Sequence, residues 1–82
     1  MVVQVKVLGL FTAFGGKAQP VTLPEGACTG DVLQPLAELL SKEHAEMLTE
    51  ETVVMLNGKQ TNYEAPLHEG DQVVFIRTIS GG

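Results

Sequence analysis

Gln72-Val73-Val74-Phe75-Ile76-Arg77-Thr78-Ile79-Ser80-Gly81-Gly82 closes the 82-residue chain. Its β-branched and aromatic run predicts a strand over Gln72 to Arg77. Beyond the strand come a few residues and two terminal glycines. A carboxylate carried on two residues without side chains can thread a narrow active site. A Cβ at either position would widen that tail and remove backbone conformations open only to Gly. The spacing therefore divides the chain into a globular part, residues 1–76, and a flexible C-terminal tail, residues 77–82.

Working outward, Pro66-Leu67-His68-Glu69-Gly70-Asp71 reads as the turn that launches the last strand. At the other end of the chain Val3, Val5 and Val7 alternate with Gln4 and Lys6, the period-2 mark of a half-buried strand. Gly15-Gly16 reads as a turn and Ala18 to Leu23 as a second strand, where Pro20 fits only an edge position or a bulge because it cannot donate to a ladder. A helix follows, with Thr29 as its expected N-cap and Asp31 in the first turn. Val32, Leu36, Leu39 and Leu40 form one buried stripe with Leu33 and Ala37 beside it. Pro35 predicts a kink or a loose first turn. The helix is expected to end near Lys42, and Glu43 to Glu51 reads as a polar connection anchored by Met47 and Leu48. Thr52 to Leu56 is a further strand, stopped by the turn dipeptide Asn57-Gly58, with a short strand in Lys59 to Thr61.

A chain this short can bury its helix only across one face of a mixed sheet. The expected fold is α+β, a β-grasp of four to five strands with one main helix, the first and last strands paired at its centre. Parity then sends Val3, Val5, Val7, Val73 and Phe75 toward the helix. Leu8, Leu10, Val74 and Ile76 point to the opposite face, where no cover is predicted, and together they make an apolar patch of interface size.

The chain is 44% hydrophobic, which marks it as globular, and 5 Lys plus Arg against 10 Asp plus Glu give a net charge of −5. That balance opposes nonspecific nucleic-acid binding and suits docking on a basic protein surface. Cys28 is the single cysteine, so no internal disulfide and no thiolate cluster is expected. It precedes the helix and reads as a small packing residue rather than a sulfur acceptor. His44 and His68 lie in polar connections without a second ligand at metal spacing, so no metal site is expected. Lys6 interrupts the opening apolar run, and no segment approaches transmembrane length, so a cytoplasmic protein without membrane contact is expected.

Leu56-Asn57-Gly58, Pro66-Leu67-His68-Glu69-Gly70-Asp71-Gln72-Val73 and the terminal Ser80-Gly81-Gly82, together with Pro24-Glu25-Gly26-Ala27 ahead of the helix, resemble the ubiquitin-like sulfur carriers of the MoaD/ThiS family. The resemblance covers essentially the whole chain, and Ser80-Gly81-Gly82 is most similar to the branch that forms the small subunit of molybdopterin synthase. Where that branch carries Pro-Pro-Val, this chain has Arg77-Thr78-Ile79.

The resemblance implies the following chemistry. An E1-like adenylating enzyme activates the Gly82 carboxylate with ATP, and a sulfur donor then converts the acyl adenylate to a thiocarboxylate. The molybdopterin synthase large subunit, or an equivalent sulfur-accepting enzyme, receives the tail and the sulfur. Gly82 would carry the reactive atom and Gly81 the clearance. Leu8, Leu10, Val74, Ile76, Arg77, Ile79 and Ser80 would meet the partner. Residues 77–82, if extended, reach roughly 20 Å at about 3.3 Å per residue. No cofactor would be bound by the chain itself, and it would not be an enzyme on its own. Thiazole formation, cysteine synthesis and tRNA thiolation remain open as alternative destinations for the sulfur, as does conjugation to protein lysines.

Overall fold

The computed structural model describes residues 1–9, 12–49 and 51–77. Its strands are β1 (Val2–Gly9), β2 (Gln19–Thr22), β3 (Val53–Leu56), β4 (Lys59–Thr61) and β5 (Gln72–Arg77), and its helices are α1 (Leu33–Leu39) and α2 (Lys42–Met47). The strands form one mixed five-stranded sheet in the order β2-β1-β5-β3-β4. β1 and β5 run parallel at the centre, with β2 antiparallel to β1 and β3 antiparallel to both β4 and β5. This is the expected β-grasp, and β5 has the bounds read from the sequence. β2 is an edge strand, where Pro20 is tolerated.

Strand parity decides the core. Val3, Val5, Val7, Val73 and Phe75 are all fully buried beneath the helices, alongside Val32 and Leu36. Tyr63 covers one end, its ring 6.2 Å from that of Phe75 and its hydroxyl 2.6 Å from the Thr52 carbonyl oxygen. The Asn57-Gly58 turn takes positive φ at both residues, 50° and 86°, as a tight type I′ hairpin requires.

The helical segment departs from the sequence reading in three ways. Thr29–Val32 is a 3-10 turn capped by Cys28, whose backbone N–H donates to the Asp31 carboxylate at 2.9 Å. Thr29 is therefore not the N-cap. Its side chain is fully buried and its hydroxyl donates to the Asn62 carbonyl at 2.6 Å, tying the helix entry to the loop before β5. Because α1 begins only at Leu33, Pro35 sits in its first turn, where an α-helix has no backbone acceptor waiting for that N–H. Second, the chain breaks at Leu40 and starts again as α2 over residues read as a polar connection, with Ser41 Oγ accepting from the His44 N–H at 3.2 Å. Third, Leu39 is 52% exposed rather than buried. Leu40 turns into extended backbone, so Leu40 and Leu48 take up the core contacts and Leu39 is left on the flank.

Candidate functional site

The central β1–β5 pair builds the site. Its register sets Lys6 beside Val74, Leu8 beside Ile76, and Gly9 beside Arg77. Leu8, Val74 and Ile76 thus stand together on the face turned away from the helices, all three half-buried. β3 adds Val53 next to Ile76 and Met55 next to Val74, also half-buried. These two residues were not among those expected to meet a partner. The signal was present, since Val54 in the core forces its neighbours Val53 and Met55 to the opposite side.

Arg77 is the last residue of β5, and alternation carries it to the side of Val73 and Phe75 rather than that of the apolar patch. It is half-buried, and its Nε is buried with no hydrogen-bond partner among the described residues. Opposite it, Gly9 has φ +117°, and a Cβ there would lie 1.8 Å from the Arg77 carbonyl oxygen. Glycine is therefore what lets the two central strands close at the end where β5 hands over to residues 78–82. Leu10, Ile79, Ser80, Gly81 and Gly82 lie outside the described residues.

Where β2 leaves β1, after the Gln19–Val5 pair, the outer face opens into a hollow of about 250 Å³ lined by Gln4, Lys6, Ala18, Gln72, Val73 and Val74. The opposite end of β5 is pinned by polar contacts. The Asn57 side chain accepts from the Gln72 N–H at 2.9 Å and donates to the Asp71 carboxylate at 3.0 Å. The Asn57 amide holds the Asp71 carboxyl below the usual carboxylate value, aided by the His68 N–H at 2.7 Å and the nearby imidazole, while burial opposes the shift. Val2 in turn receives Gly70 N–H and donates to Glu69, locking β1 to the same loop. His68 is consequently part of a strand-launching turn, and Cys28 is a half-buried residue at the helix entry.

Comparison with known proteins agrees with this geometry. The model of the ThiS family matches residues 5–82. An uncharacterized protein of Archaeoglobus fulgidus is 35% identical over 65 residues, spanning 73% of this chain and 71% of its own. Among solved structures, SAMP1 from Haloferax volcanii superimposes with a TM-score of 0.74 at 18% identity, covering 100% of both chains. A putative molybdopterin converting factor, subunit 1, from Pyrococcus furiosus gives 0.67 at 24% identity, covering 94% of this chain and 99% of that one. A β-grasp whose first and last strands pair in parallel at its centre, matched by the family model over residues 5–82, belongs to the ThiS family of ubiquitin-like sulfur carriers.

Proposed function

We propose that the chain is a sulfur carrier of molybdopterin biosynthesis, the small subunit of a molybdopterin synthase-type complex. The observation that carries the sulfur-carrier part of this reading is the reach of the family match to residue 82, so that Ser80-Gly81-Gly82 falls within it. The name of the Pyrococcus furiosus protein points to the same pathway.

In this reading the Gly82 carboxylate attacks the α-phosphorus of ATP on an E1-like enzyme, releasing pyrophosphate and forming an acyl adenylate. A persulfide displaces AMP, forming an acyl disulfide. A thiol then cleaves its S–S bond and leaves the thiocarboxylate on Gly82. The sulfur-accepting subunit takes the tail into its active site while Leu8, Val74 and Ile76 dock outside, joined by Val53 and Met55. The exposed apolar area supplies the affinity, and the two glycines supply the clearance. The chain contributes the reactive terminus and the docking face, and its partners contribute the catalytic groups. Its setting is the cytoplasm, where ATP and the adenylating enzyme are available.

The test is C-terminal fragment mass spectrometry after incubation with ATP, a persulfide donor and the E1-like enzyme. The expected result is ATP-dependent exchange of sulfur for oxygen at Gly82. Oxidation of Met1, Met47, Met55 or Cys28 gives nearly the same mass shift, so the fragment must isolate the terminus. Adding one residue after Gly82 should abolish the exchange without unfolding the domain. ATP-dependent adducts on lysines of other proteins, without sulfur at Gly82, would replace this reading with that of a protein modifier.

A further inference from the structure

The docking face has an electrostatic character opposite to that of the chain. Register and parity place Gln4, Lys6, Gln72 and Gln60 around the apolar patch on the outer side of the sheet. Lys6 is the only ionised side chain there among the described residues. The carboxylates of the described residues lie on the helices or in the turns that carry Glu25, Asp31, Glu51, Glu64, Glu69 and Asp71. The net charge of −5 therefore says little about what this face attracts.

Lys6 is Cα partner to Val74, so any protein surface that covers Val74 and Ile76 also covers Lys6. Lys6 makes no ion pair with the described residues, and its flanking glutamines are neutral. An ammonium covered by apolar surface and left without acceptors is strongly unfavourable, so a partner that fits this face has to supply acceptors, of which a carboxylate binds it most strongly. The hollow beside Lys6 supplies the space. It opens where β2 departs at Ala18, and the side chains of Gln4 and Gln72 border it with amide donors.

We propose that the adenylating partner docks with an Asp or Glu side chain in this hollow, its carboxylate paired with Lys6 and hydrogen-bonded by Gln4 or Gln72. Apolar residues on either side of that carboxylate cover Val74 and Met55. This rests on the sulfur-carrier reading above. Lys6 acts as a specificity residue for the carrier–enzyme complex and takes no part in the chemistry at Gly82.

The experiment is ATP–pyrophosphate exchange by the E1-like enzyme of the source organism, with the full chain as substrate at low and high salt. Lys6→Glu should raise KM for the carrier by about tenfold or more, and Lys6→Met by a few-fold, both with kcat unchanged. Lys59→Glu, on the edge strand β4, makes the same change in net charge and should leave KM within about twofold. Raising salt should raise KM for the wild-type chain more than for Lys6→Met, because screening acts on the pair. Thermal melting checks that each variant is folded. Equal KM values for Lys6→Glu and Lys59→Glu overturn the proposal. So does a wild-type dimer that Lys6→Glu dissolves, since the occupant would then be a second copy. No exchange with the wild-type chain overturns the carrier reading first, and this proposal with it.

Discussion

Replacing Gly9 with alanine tests the close approach of β1 and β5 most directly. The residue has φ +117°, and the added Cβ would lie 1.8 Å from the Arg77 carbonyl oxygen and 2.6 Å from its carbon. An ordinary C···O contact is about 3.3–3.6 Å, so one strand has to move by more than an ångström. Both clashing groups are backbone in the two central strands, and no side-chain rotation relieves them. Holding a non-glycine residue at this φ costs about 1–3 kcal/mol. Opening the Gly9–Arg77 end of the ladder forfeits at least one backbone hydrogen bond, about 1 kcal/mol. A loss of about 3 kcal/mol results, a large part of the roughly 5–15 kcal/mol that holds a small domain folded. For a chain of this size it lowers Tm by about 12–24 °C. Gly58→Ala is the control, because its φ of +86° is also positive but nothing lies within 4 Å of its Cβ. It should carry only the cost of the left-handed backbone, about 1–2 kcal/mol. Urea denaturation with linear extrapolation measures both. If Gly9→Ala is no less stable than Gly58→Ala, the close β1–β5 approach is not a constraint.

Two further outcomes follow from the site. The Asp71 carboxyl has a folded pKa below its unfolded value, mainly through the Asn57 side chain. Its contribution to stability is therefore complete above the unfolded value near 3.8 and is lost as pH falls through the lower folded value. The Tm gap between wild type and Asp71→Asn should narrow below pH 4, and a gap that stays constant from neutral pH into acid refutes this linkage. Met55→Asp places a charge beside Val74 on the outer face, away from the core. It should weaken partner turnover at least tenfold, the scale of a central interface residue, while thermal melting shifts by only a few degrees. Equal loss of fold and activity would mean that Met55 serves the core.

Legibility in the sequence followed the range of the forces involved. Alternation in Val3, Val5, Val7, Val73 and Phe75 marks which side of each strand is buried, because strand geometry sends successive side chains to opposite faces whatever else the chain does. Asn57-Gly58 specifies its turn through φ values that few other dipeptides adopt. The helix boundaries were less readable. Thr29 has the chemistry of a cap, yet its hydroxyl found a stronger use against Asn62, a partner remote in sequence. Ser41 carried a capping signal that the surrounding charged residues concealed.

By itself, the sequence determined the β-grasp and its two faces, since these follow from local periodicity. Only the tertiary structure decided that Val53 and Met55 extend the patch and that Gly9 must face the Arg77 carbonyl. It also decided that Lys6 stands beside a hollow as the one charge on that face among the described residues. Each of these depends on the register between strands far apart in the chain. Register is chosen by the simultaneous burial of the whole core, and no local stretch of residues encodes it.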